Sequence, residues 1–299
     1  MTPIEAAILG LVEGLTEYLP VSSTGHLILT SALLGMDKTE ESKLAVDTFD
    51  IVIQGGAILA VLGLYWPRVM QMLRGLLGRD PAGLRLLINL VIAFIPAATM
   101  GFLLHKKIEE KLFHPIPVLV ALAAGGVIMI FIARWQRKTF RESSDPALPG
   151  TGARPGAHDH QYLTIEQLNW KQALIIGCIQ CFALWPGTSR SMVTIVGGML
   201  LGLRPKQAAE FSFLLALPTL SAACAYSAYK DHNGPQVLKT VGAVPNLIGF
   251  GIAAISAALA VKFLVGFLNK HGLALFGWYR LALCALMTLL VWKGIVEFS

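Results

Sequence analysis

Six stretches of this chain, about 47–66, 85–104, 116–134, 208–228, 244–268 and 275–296, stay apolar for the length of a helical membrane crossing. A hydrocarbon core of roughly 30 Å takes about 20 helical residues to span. Composition points the same way. The chain is 55% hydrophobic and 14% charged, against about 25% charged in a soluble domain. So little polar surface cannot cover a water-exposed globule of 299 residues, so lipid must solvate most of it. The net charge of +6 suits cytoplasmic loops facing anionic lipid. No basic stripe interleaved with aromatics points to nucleic acid.

Four shorter apolar stretches come as two pairs, 3–18 with 22–35 and 171–185 with 190–203. Each pair is split by a Pro and small hydroxyl residues: Leu19-Pro20-Val21-Ser22-Ser23-Thr24-Gly25 and Trp185-Pro186-Gly187-Thr188-Ser189-Arg190-Ser191. Pro removes a helical donor, and Gly and Ser beside it favour a turn. Turn backbone at membrane depth is tolerated only inside protein or against a wet cavity. Each pair therefore reads as two half-helices that enter the membrane, turn near its middle and leave on the same side. Two full crossings with a Pro kink are the alternative, disfavoured by the short halves and the polar junctions.

Aligning Pro20 with Pro186 places Ser23 over Ser189 and Thr24 over Arg190, while Asn89-Leu90-Val91-Ile92 and Asn246-Leu247-Ile248 open comparable segments. The predicted fold is an all-α polytopic membrane protein with an inverted repeat, each half a re-entrant pair plus three transmembrane helices. The first half covers 1–142, with re-entrant pair 3–35, and the second covers 162–299, with re-entrant pair 171–203. The Pro/Gly-rich 143–161 stretch is a flexible cytoplasmic linker in this reading, and its His158 and His160 are solvated. Placing Arg68, Arg74, Arg79 and Arg85 in the cytoplasm also puts Arg134, Arg137, Lys138, Arg141, Arg204 and Lys206 there. The positive-inside rule favours this arrangement. The first re-entrant pair then opens outward, and both termini face out. Cys178, Cys181, Cys224 and Cys284 lie in apolar runs and read as small buried hydrophobes. The first apolar segment lacks a basic leader and a cleavage site, so it is expected to stay in the mature protein.

Charges within membrane segments are costly and mark function. Glu13 and Glu17, four apart, share one face of the first half-helix. Two carboxylates so placed repel unless a proton or cation lies between them, and oxygen ligands suit Mg²⁺ or Ca²⁺. Ser22, Ser23, Thr24, Gly25 and His26 follow directly. Their hydroxyls and the N–H groups of the next half-helix form an anion cradle. The second turn supplies Thr188, Ser189, Arg190 and Ser191, and an Arg fork in lipid needs an anionic partner such as phosphate. If the two tips meet, Arg190 faces the Glu13/Glu17/Ser23/His26 cluster. That is an inventory for phosphoryl transfer. Glu210 and Asp50 are further intramembrane acids, read as supporting or helix-pairing groups.

At these residues the chain resembles the bacterial undecaprenyl-diphosphatase family, also called the bacitracin-resistance protein family. The likeness is carried by Glu13-Gly14-Leu15-Thr16-Glu17-Tyr18-Leu19-Pro20-Val21-Ser22-Ser23-Thr24-Gly25-His26 and by Pro186-Gly187-Thr188-Ser189-Arg190-Ser191, with Phe49–Gln54 and Glu210–Leu215 in support. It runs over essentially the whole chain and departs in the longer 143–161 linker. The resemblance implies an inner-membrane phosphatase that converts undecaprenyl diphosphate to undecaprenyl phosphate, recycling the lipid carrier of cell-wall synthesis and conferring bacitracin resistance. It also implies a divalent cation, Mg²⁺ or Ca²⁺, and a site facing outward. Carried onto this sequence, Glu13 and Glu17 are the acidic pair that holds the metal, and Ser23 or His26 is the leading nucleophile candidate, with direct attack by metal-bound water as the alternative. Glu17 and Arg190 complete the catalytic group. Ser22, Thr24, Gly25, Thr188, Ser189 and Ser191 line the phosphate site. The partners implied are a polyprenyl diphosphate and membrane lipid, and a homodimer is compatible although no interface is readable. A polyprenyl-phosphate transporter or flippase using the same midplane site is the rival function, favoured by the repeat alone.

Overall fold

The computed structural model describes residues 1–36, 38–142, 162–230 and 241–294, so the 143–161 linker expectation lies outside the described residues. Thr2 starts α1 (Pro3–Thr16): its hydroxyl accepts the Glu5 N–H, and the Glu5 carboxylate accepts the Thr2 N–H. This reciprocal cap, with Pro3 in the first turn where no donor is needed, fixes the helix start. After the 17–22 turn comes α2 (Ser23–Leu33), packed against α1 as a hairpin. Next are α3 (Glu40–Leu64), a short α4 (Trp66–Leu76), α5 (Pro81–Leu112) and α6 (Pro115–Glu142). The second hairpin is α7 (Trp170–Gln180), extended by a 3₁₀ turn over Cys181–Leu184, with α8 (Arg190–Leu200). The chain closes with α9 (Pro205–Lys230), α10 (Ala243–His271) and α11 (Ala274–Trp292).

Six of these helices, α3, α5, α6, α9, α10 and α11, are long and apolar enough to cross a membrane, at the places hydropathy indicates. The chain is a multi-pass membrane protein. At about 1.5 Å per residue, α1 is about 21 Å long and α2, α7 and α8 about 16 Å, all short of a crossing. Helix α4 falls where the arginines suggest a connection between crossings. It is amphipathic: Arg68 and Gln71 hydrogen-bond on one side, and Leu73 and Leu76 are exposed on the other.

The two hairpins are exchanged between the ends of the chain. The N-terminal α1 packs on α10, and α7 packs on α5. Both contacts are made by glycine. A Cβ at Gly10 would stand 2.5 Å from Gly249 O, one at Gly14 would stand 2.4 Å from Ala253 O, and one at Gly177 would stand 2.5 Å from Ala93 O. Backbones approach this closely only through small residues, the usual device where lipid removes the hydrophobic drive between helices. Arg68 ties the parts together at the far end. It donates to Glu210 Oε1 of α9 (2.7 Å) and to Glu166 Oε1 (2.6 Å). Partial burial works against the Glu166 carboxylate, but hydrogen bonds from its own N–H and from Arg68 prevail and hold it below its usual range.

Gly14→Ala should lower stability by about 1–3 kcal/mol, whereas Gly251→Ala, which meets nothing within 4 Å, should be neutral or stabilise by up to about 1 kcal/mol. Thermal melts in detergent read the difference. A carboxylate with a lowered folded pKa stabilises above its unfolded value and loses that effect as pH falls through the folded one. The melting difference between wild type and Glu166→Gln, at most about 1 kcal/mol for so exposed a pair, should therefore vanish on acidification. A constant difference would contradict the ion pair.

Candidate active site

The two turns meet. Glu17, the residue that ends α1, receives the Ser23 hydroxyl on Oε2 at 2.6 Å and the Arg190 guanidinium on Oε1 at 2.9 Å. Arg190 also donates through Nη1 to Ser212 O, and its Nε is buried without an acceptor among the described residues. The guanidinium lies 5.6 Å from the centre of the Tyr18 ring, whose hydroxyl donates to Ala57 O. A second link joins the tips directly: Ser191 donates to Leu19 O at 3.0 Å.

Ser22 and Ser189 cap α2 and α8, and their hydroxyls accept the N–H of Gly25 and Met192. Among the described residues they are the only non-glycines with positive φ, 75° and 73°. Such backbone costs of order 1–3 kcal/mol and collects at functional sites. It turns the chain sharply enough to point two helix N-termini at one place. The caps also correct the register of the internal comparison. Ser22 matches Ser189, so Ser23 and Arg190 hold the same first position of their helices, and Ser23 does not match Ser189. Cap identity follows the hydroxyl and the backbone angle, and the preceding proline does not set it.

Between the turns lies a cavity of about 150 Å³ lined by Glu17, Ser22, Ser23, Thr24, Gln54, Trp185, Ser189 and Arg190, among others. The other predicted residues stand behind or beside it. Gly25 gives its N–H to the Ser22 cap. Thr188 donates its N–H to Trp185 O. Ser191 is fully buried on Leu19. His26 faces α11: its Nδ1 bonds Ser22 O at 2.7 Å, its Nε2 bonds the Tyr279 hydroxyl at 2.7 Å, and the two rings stack. A carbonyl only accepts, so Nδ1 carries the proton, and in the neutral ring Nε2 accepts from Tyr279. Of the two nucleophile candidates, Ser23 is the one beside Glu17.

Glu13 is 1% exposed, and both its carboxylate oxygens are buried without a partner among the described residues. An orphaned carboxylate one turn from Glu17 suits a hard divalent cation. No group of three or more His, Cys, Asp or Glu is arranged for a metal among the described residues, so the remaining ligands would be water and substrate oxygens, the usual mode for Mg²⁺. Asp50 likewise has a buried oxygen without a partner, whereas Glu210 is the partner of Arg68. Gln54 stands in the sequence only as part of the Phe49–Gln54 likeness, and Tyr279 and Arg280 had no place among the predicted site residues. Arg280 carried a signal, a charge near the start of the last apolar stretch but well inside it, whereas Lys293 lies toward its end.

Six long apolar helices make this a polytopic helical membrane protein, and a carboxylate, a seryl hydroxyl, a guanidinium and two capped helix N-termini around its small cavity are groups suited to a phosphate-like anion. Within that class the chain belongs to the bacitracin resistance protein BacA family, whose model matches residues 6–286. Relatives include the undecaprenyl-diphosphatase of Sorangium cellulosum, 46% identical over 284 residues, covering 95% of this chain and 84% of that protein. Undecaprenyl-diphosphatase 2 of Rhodospirillum rubrum is 41% identical, covering 99% of this chain and 97% of its own length. The undecaprenyl-diphosphatase of Nitrosomonas europaea has the same identity and coverage.

Both substitutions remove the capping hydroxyl, but glycine relieves the positive φ that alanine keeps and is the better tolerated of the two at a helix N-cap. Ser22→Ala and Ser189→Ala should each be less stable than the matching Gly variant by about 1–3 kcal/mol. Equal melting temperatures for the Ala and Gly variants would contradict strained caps.

Proposed function

We propose that this protein is an undecaprenyl-diphosphate phosphatase that works through Ser23, releasing inorganic phosphate and undecaprenyl phosphate and so recycling the carrier lipid of cell-wall synthesis. The observation that carries the choice of Ser23 is its 2.6 Å hydrogen bond to Glu17. A hydroxyl is a weak nucleophile until an adjacent base takes its proton. Bacitracin resistance follows from the family, since the reaction consumes the diphosphate lipid.

Arg190 is paired with Glu17 Oε1, so the guanidinium occupies one of the carboxylate's two oxygens. The arriving diphosphate competes for the guanidinium, whose fork fits phosphate oxygens and whose Nε is spare. Glu17 is then free to take the Ser23 proton while Ser23 Oγ attacks the terminal phosphorus. The bond from that phosphorus to the bridging oxygen breaks, and undecaprenyl phosphate leaves with the electron pair and takes the proton from Glu17, which is a base again. Water, deprotonated by Glu17, hydrolyses the phosphoseryl group and returns the Ser23 hydroxyl. Arg190 and the N–H groups that open α2 and α8 hold the charge that builds on the equatorial oxygens. A divalent cation, Mg²⁺ or Ca²⁺, would be held by Glu13 and Glu17 and would supply charge neutralisation at the phosphate. His26, held by Tyr279, orients the start of α2 through Ser22.

The paired seryl caps and the exchanged hairpins support an inverted repeat, in which both turns sit near the midplane. The distribution of Lys and Arg supports a plasma-membrane orientation with the site open to the outer face.

Purified protein should release phosphate from undecaprenyl diphosphate, lose this activity with chelator and regain it with Mg²⁺. Ser23→Ala should reduce kcat at least about 10³-fold, as loss of a nucleophile does, whereas His26→Ala should cost about tenfold. Acid quench with terminally labelled substrate should trap label on Ser23. Turnover in Ser23→Ala near that of wild type, or label on His26, would overturn the mechanism.

A further inference from the structure

Arg280 of α11 is among the largest fully buried side chains of the described residues, at 0% exposure. Among the described residues no carboxylate pairs with it. Its guanidinium instead donates to four carbonyls. Nε bonds Leu122 O at 3.1 Å, Nη2 bonds Ala121 O at 3.1 Å and Gly187 O at 2.7 Å, and Nη1 bonds Thr188 O at 3.0 Å. Two acceptors belong to α6 and two to the turn that presents Ser189 and Arg190. A full charge kept in a membrane interior without an anion is costly. A strut between helices needs no charge, so the turn is the informative partner.

In a trans peptide the C=O of one residue and the N–H of the next point in opposite directions. Arg280 draws the Thr188 carbonyl to itself, so the Ser189 N–H is aimed the other way. Ser189 lines the cavity, and its N–H has no acceptor among the described residues. The packing around the fork is equally specific. A Cβ on Gly125 would stand 2.5 Å from Arg280 Nη2 and 2.8 Å from Cζ, so α6 carries a glycine where the guanidinium lies.

We propose that Arg280 is a positioning residue for phosphoryl transfer: by holding the Gly187 and Thr188 carbonyls it turns the Ser189 N–H and the start of α8 toward the phosphate, without touching substrate. Its position behind the turn also leaves an uncompensated positive charge beside an anion site. The inference rests on the phosphatase reading. Donors aimed at charge that builds in the transition state change kcat more than KM.

The test compares phosphate release from undecaprenyl diphosphate by wild type, Arg280→Lys, Gly125→Ala and the double variant, each scaled to folded protein by size exclusion and thermal melting. Lys keeps the charge but cannot ligate four carbonyls, and Gly125→Ala displaces the fork without altering it. Both should lower kcat at least tenfold with KM within threefold. The double variant should be no worse than the poorer single, because both act on one contact. If Arg280→Lys does not fold, Gly125→Ala decides alone, since alanine suits a helix interior. A kcat within twofold of wild type in either folded variant would overturn the proposal. So would a loss explained entirely by unfolded protein, which would make Arg280 a strut, or additive losses in the double variant. An inactive wild type would instead defeat the phosphatase reading, and is measured first.

Discussion

The ion pair between Glu17 and Arg190 is the contact on which the rest of this structure depends. Each group alone in a membrane interior would be costly, and breaking such a pair leaves one charge stranded. Together they join the turn after α1 to the turn before α8, residues far apart in sequence. Neither hairpin spans a bilayer, so each needs partners that supply polar contacts for its turn. The other hairpin's turn does so through Arg190 on Glu17 and Ser191 on Leu19 O. A polar site buried in lipid is therefore a structural requirement as well as a chemical device.

Bringing the turns together demands close packing behind them. Gly10 and Gly14 let α1 lie on α10, and Gly177 lets α7 lie on α5. Each hairpin thus leans on a long helix from the other end of the chain. Movement of one helix set against the other would shear the Glu17–Arg190 contact. At the far end Arg68 bridges Glu166 and Glu210. Charge there and at the two turns resists such sliding, while the helices between are packed through small residues that make no directional bonds.

The crossings were legible because hydrophobic length is a one-dimensional signal, and all six long helices occur where the apolar runs lie. The hairpins were legible because Pro, Gly and Ser interrupt apolar runs at Pro20 and Pro186. Glu17, Ser23 and Arg190 stood out as polar residues in lipid, and they do converge. What escaped has physical reasons. Amphipathic α4 is too polar for a hydropathy window. The direction in which His26 points depends on Tyr279, 253 residues away. Arg280 works through backbone carbonyls, and a carbonyl has no residue type to read. The caps at Ser22 and Ser189 depend on backbone angles, so aligning the prolines set the register one residue off.

The central claim is that both turns together grip one phosphate. The most direct measurement is a structure of the protein bound to an undecaprenyl methylene-diphosphonate, which cannot be cleaved at the bridging position. The account predicts the terminal phosphonate beside Ser23 Oγ, with the Arg190 guanidinium turned from Glu17 onto its oxygens and the Ser189 N–H directed at it. A phosphonate bound elsewhere, with the Glu17–Arg190 pair intact, would contradict it.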